Sequence, residues 1–170
     1  MSYVKKTCEV FLVPKKSFYQ FIKTPISDIQ IGDVIKTYDD LSEKWSTDVV
    51  TAIHKNKLSD FIDFNIELGY EGIGYFSINK NPQFQCVATS SLLALIGWSS
   101  FFSLSHNKPF STGTPLVNLE RNFRLLIMGV PEYECIDSIE FIPCQDELVY
   151  SLSLKNNYSY IVGGYVMHTL

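Results

Sequence analysis

Short runs of β-branched and aromatic residues recur along almost the whole chain, and this recurrence restricts the fold more than any other feature. Cys8–Val13, Phe18–Phe21, Asp33–Tyr38, Asp48–His54, Phe61–Leu68, Tyr75–Ile78, Cys135–Ile142, Val149–Leu154 and Tyr158–Met167 all read as strands. Gly, Pro, Asn and Asp punctuate them at fairly regular spacing, and helical periodicity is sparse. The pattern predicts an all-β, barrel-like or sandwich architecture. With 170 residues, 46% of them hydrophobic, one core and one domain suffice.

A weak echo links the two ends of the chain. Val50-x-x-Ile53 precedes the run Phe61–Ile66, and Ile136-x-x-Ile139 precedes Leu148–Leu154. Each unit reads as strand, polar link and alternating strand, which predicts two related halves around one core. Residues 103–131 lie between the halves as an elaboration, since no linker-like composition brackets them.

Charge excludes several functions. Fourteen Lys and Arg against eighteen Asp and Glu leave a net charge of -4, which repels phosphate backbones, so no nucleic-acid partner is expected. From Asn81 to Ser105 the chain carries no charge, but serines and Thr89 dilute the stretch below what a bilayer span requires, and no membrane partner is expected. The apolar run after the charged N-terminus is too short for a signal-peptide core, so a cytoplasmic setting is the expectation. The cysteines Cys8, Cys86, Cys135 and Cys144 lack metal-knuckle spacing, no Gly-rich phosphate loop is present, and neither a metal nor a cofactor is expected.

For chemistry, a cysteine that attacks a carbonyl needs a thiolate or nearby base, a group to hold the oxyanion, and an acid for the departing nitrogen. Cys8 is the candidate nucleophile. Of the histidines His54, His106 and His168, the fold could bring the last two to it, and Ser103 lies three residues before His106. His54 is followed by Lys55-Asn56-Lys57 and reads as solvent-exposed. By default Cys8 is a buried strand cysteine, Gly32-Asp33 a tight turn and Gly163-Gly164 a hairpin turn.

The stretch from Cys8 to Ile31-Gly32-Asp33-Val34 resembles the opening block of the Hint superfamily of inteins, bacterial intein-like domains and hedgehog autoprocessing domains. Val149–Leu154 and Asn157–His168 are similar to its two closing blocks. The second block, usually Thr-x-x-His, fits either Ser103-x-x-His106 or Thr89-x-x-Leu92 followed by Gly97-Trp98. The resemblance implies a horseshoe of two pseudo-symmetric β subdomains with adjacent termini, residues 1–7 as an upstream flank and 8–170 as the autoprocessing domain. It also implies that the Thr7–Cys8 amide shifts onto the Cys8 sulfur as a thioester. The partners would then be the domain's own flanking segments, with water or a small nucleophile as acyl acceptor.

Departures from the pattern limit the chemistry. Thr169 stands where inteins carry the asparagine that cyclises to release the C-terminal flank, and a hydroxyl cannot form that imide. Ser151 replaces a catalytic aspartate and Tyr158 a histidine, neither of which titrates usefully near neutral pH. Three readings remain: N-terminal cleavage by Cys8, assisted by Thr89 or by Ser103 and His106, with His168 nearby; a degenerate module that keeps the fold without the reaction; or, ranked last because no Asn or Asp orienting partner is identifiable, a cysteine hydrolase acting on other proteins with Cys8 and His106 as a dyad.

Overall fold

A computed structural model describes residues 2–15, 20–94, 97–101, 124–127, 132–135 and 138–169. Fourteen strands are assigned among them: β1 Val4–Lys5, β2 Glu9–Leu12, β3 Ile22–Pro25, β4 Val34–Asp39, β5 Lys44–Lys57, β6 Gly74–Ile78, β7 Ser91–Ala94, β8 Gly97–Ser100, β9 Arg124–Ile127, β10 Glu132–Cys135, β11 Ile139–Pro143, β12 Leu148–Leu154, β13 Ser159–Val162 and β14 Tyr165–His168. Every pairing between them is antiparallel, in a main sheet whose path runs β1-β12-β5-β4-β2-β13-β14-β7-β9-β10. β11 and β6 pair separately, and bridges from Cys86 to both Phe76 and Val4 join that pair to β1.

The fourteen-residue strand β5 is what curls the sheet. Its first half pairs with β4 and its second half with β12, and the handover falls at the fully buried Val50. At that point Ser153 pairs with Ala52 but Leu154 pairs with Val50, so Thr51 is the extra residue of a bulge. A bulge bends its strand and increases the local twist, which carries β12 out of the plane of β4. The main apolar cluster fills the resulting concavity with Val10, Ile35, Val50, Phe76, Leu152 and Tyr160 among others.

The closing run predicted over Tyr158–Met167 is a hairpin, β13 and β14. Gly163 and Gly164 have φ of 58° and 92°, the pair of positive angles of a type I′ turn. A Cβ on Gly163 would also lie 2.7 Å from the Gln83 carbonyl oxygen, so only glycine fits there. Gly32, with φ of 96°, likewise forms the tight turn before β4, closed by Gln30 N–H on the Asp33 carboxylate at 2.8 Å.

One predicted strand is a helix. Residues Ile62–Glu67 form α1, preceded by a single 3₁₀ turn at Leu58–Phe61. Leu58, Phe61 and Asn65 are buried and Phe64 and Leu68 pack against the core, a one-sided spacing of three to four, whereas Ile66, which the alternating pattern would bury beside Phe64, is 57% exposed. Asn65 fixes the end of the helix through its side-chain N–H on the Gly72 carbonyl. The first unit of the expected internal echo is therefore strand then helix, not strand then strand. Residues 136 and 137, and the first two of the run predicted at Phe18–Phe21, lie outside the described residues.

Candidate functional site

The leading residues of the chain are built into the core. Ser2, Tyr3 and Val4 are buried, and β1 lies between β12 and the segment that carries Cys86. On that second side, Lys5 N–H donates to the Gln85 carbonyl (2.9 Å) and Val87 N–H donates to the Tyr3 carbonyl (3.0 Å). The Ser90 hydroxyl completes the grip: it accepts from Tyr3 N–H at 3.2 Å and donates to the Tyr3 carbonyl oxygen at 3.1 Å. The Tyr3 carbonyl thus has two donors in a site without solvent exposure at Val4 or Ser90. One residue along, Ser91 N–H donates to the Ser2 hydroxyl at 2.9 Å.

The trailing residues pack on the neighbouring strands. Met167 pairs with Leu92 on β7, the strand that directly follows Ser90. Ser151, on β12 one residue beyond the partner of Val4, donates its hydroxyl to the Thr169 carbonyl at 3.0 Å, and Thr169 N–H donates to the Tyr158 carbonyl at 2.8 Å. Ser151 and Thr169 are both buried. Beside Ser151 and the Leu152 backbone lies the fully buried Tyr160 hydroxyl.

Cys8 sits just past this point, and its surroundings do not activate it. It follows a turn closed by its own N–H on the Lys5 carbonyl at 3.0 Å, and Thr7 in that turn is exposed. The side chain points inward, with Sγ 3.5 Å from the Gln85 carbonyl oxygen. Burial pushes the thiol up to about 11, against a smaller lowering by hydrogen bonds from Gln85 and Lys5. At pH 7 such a group is thiolate in only about one molecule in ten thousand. Cys86, fully buried beside Ser90, is shifted upward by the same cause.

His168 ends β14. Its ring meets Trp98 edge-on at 4.9 Å and lies 5.2 Å from the Tyr158 ring. Asp40 ties these two aromatics together, accepting from the Tyr158 hydroxyl at 2.5 Å and from the Trp98 indole N–H at 3.3 Å. That hydrogen bond pushes the Tyr158 phenol up to about 12. Trp98 and Tyr158 are among the groups that meet the His168 ring.

Thr89 is buried on the segment leading into β7, and Leu92 is a fully buried core residue. Ser103 and His106 lie outside the described residues. Sequence reasoning did not single out Ser90, Val87 or the Tyr3 backbone. The available signal was the hydroxyl run Thr89-Ser90-Ser91 inside a charge-free apolar stretch, where a polar side chain has to find a buried partner.

No protein-family model and no curated protein matches the chain. Solved structures do. The chain is similar to a DnaB intein from Synechocystis sp. PCC 6803, with a TM-score of 0.66 at 12% identity over 100% of this chain and 99% of that one. It is similar to the gp41-1 intein, with a TM-score of 0.63 at 12% identity over 99% and 98% of the two chains. A bacterial intein-like domain from Clostridium thermocellum gives 0.63 at 9% identity over 99% of each. The chain therefore has the all-β Hint fold, the fold of intein-type autoprocessing domains.

Proposed function

We propose that the chain is a Hint-type autoprocessing domain at rest: it holds its own N-terminal segment in a carbonyl-binding site but neither splices nor cleaves itself in the folded state at neutral pH. The observation that carries this reading is the enclosure of the Tyr3 carbonyl by Val87 N–H and the Ser90 hydroxyl, while the Cys8 thiol is buried, shifted upward and aimed at a carbonyl oxygen. Release of a C-terminal flank by imide formation needs a carboxamide at the final position of the closing block, and Thr169 supplies a hydroxyl. In the other reading Cys8 forms the thioester with Thr7 and a nucleophile resolves it, assisted by Thr89 or by Ser103 and His106; its support is that Cys8 directly follows the gripped segment.

Intact mass in hydroxylamine separates the two. At pH 7 the folded parent and a Cys8→Ala control are expected to keep their full mass. Loss of residues 1–7 in the parent alone would overturn the resting reading and establish the acyl shift at Cys8. The pH dependence has a fixed sign. Because the thiol is shifted upward, alkylation of Cys8 by iodoacetamide should be negligible at pH 7 and rise about tenfold per unit until about 11. Alkylation at pH 7 as fast as that of a free thiol would contradict it.

A further inference from the structure

We infer that the peptide bond this fold holds for acyl transfer is Tyr3–Val4, and that it is silent because residue 4 carries no nucleophile. This rests on the autoprocessing reading and moves the reacting bond four residues upstream of Thr7–Cys8.

The two amides differ in what surrounds them. Thr7–Cys8 lies at an exposed turn, and its N–H is engaged by the Lys5 carbonyl in that turn. The Tyr3 carbonyl is enclosed and receives Val87 N–H at 3.0 Å and the Ser90 hydroxyl at 3.1 Å. Two fixed donors on one carbonyl oxygen are what a developing oxyanion requires, and exclusion of water strengthens both. Sheet pairing does not require the second donor: Ser90 lies outside the strands, is completely buried, and its hydroxyl meets both backbone groups of Tyr3.

What the site lacks is a side chain that can add to the carbonyl. A γ-sulfur or γ-oxygen on residue 4 reaches the preceding carbonyl through a five-membered ring, but Val4 presents methyl groups. With cysteine there, the thiol sulfur would bond to the Tyr3 carbonyl carbon and the thiol proton would leave through the site. The carbon–nitrogen bond would break, and the freed nitrogen would take up a proton as the amine of residue 4. Hydroxylamine would then cleave the thioester, releasing Met1–Tyr3 as the hydroxamate and restoring the thiol.

The test is made on the full chain with Cys8→Ala throughout. Val4→Cys is expected to lose the mass of Met1–Tyr3 in hydroxylamine at neutral pH, while the Val4 parent stays intact. Adding Ser90→Ala should slow that release about a hundredfold, the effect of removing one oxyanion donor. Val4→Thr has nearly the shape of valine, so it guards against a folding defect of the cysteine variant and is expected to release the same fragment through an ester. Full mass retained by a Val4→Cys or Val4→Thr chain that melts like the parent overturns the inference, and so does release that ignores Ser90→Ala. The failures are distinguishable: loss of residues 1–7 from the unsubstituted chain would refute the resting reading, whereas this inference stands or falls on Met1–Tyr3.

Discussion

Replacing Phe76 by alanine is expected to destabilise the domain by about 4 kcal/mol, within the range for deleting a large buried aromatic ring. Phe76 is 1% exposed, stacks on Phe101 with ring centroids 5.2 Å apart, and packs at 5.2 Å and 5.4 Å against Phe141 and Tyr70. Alanine leaves a void that rings attached to several different segments cannot all close. The same residue positions the site, because Phe76 and Cys86 exchange both of their backbone hydrogen bonds and so hold the segment that grips Tyr3. Urea unfolding should show the midpoint fall with an unchanged slope. A loss below about 1 kcal/mol would mean that this aromatic cluster is not packed as described.

Asp48→Ala is expected to cost about 3 kcal/mol. Asp48 is 4% exposed, and its carboxylate accepts from Val49 N–H at 2.8 Å, Asn156 N–H at 2.7 Å and Asn157 N–H at 2.6 Å. Hydrogen bonds to a charged acceptor are the stronger kind, and removing the acceptor leaves donors near the core unpaired. The turn it pins leads from β12 into the β13–β14 hairpin, so the variant should also loosen Ser151 and Thr169. Asp48→Asn keeps one acceptor oxygen and should lose about half as much. Equal losses for the two variants, read by the same urea titration, would show that charge matters more than the geometry of the turn.

Much of the fold is legible in the sequence because strand residues declare themselves locally. The closing hairpin is an example: the β-rich run Tyr158–Met167 contains Gly163-Gly164, a pair that favours the two positive angles of the tight turn, and the Gln83 carbonyl leaves no room for a Cβ at Gly163. Phe61–Leu68 is misread because over so few residues a period of two and a period of three to four both fit. Which positions are buried decides between them, and that depends on packing against β6 and the Tyr3–Phe61 contact.

The candidate site is legible only in part. Ser151 and Thr169 stand out through the closing blocks, and the structure joins them by a hydrogen bond. Ser90 does not stand out, since a hydroxyl in an apolar stretch has no spacing rule that tells which backbone group it will meet. The place of Cys8 is hidden for a related reason. Its distance to Gly32-Asp33 fits an opening block, but the register of the chain ahead of β2 is set by Val4 pairing with Tyr150 and Cys86, contacts 146 and 82 residues away. No local pattern encodes them.

The central claim, that the leading residues are a gripped inner strand of the site and not a loose flank, is tested most directly by amide hydrogen exchange resolved at single residues. Tyr3 and Lys5 N–H, bonded to Ser90 and Gln85, are expected to exchange as slowly as the core amides of β12 and β14. Exchange at both within the rates of an unstructured terminus, with β12 and β14 still protected, would contradict the account.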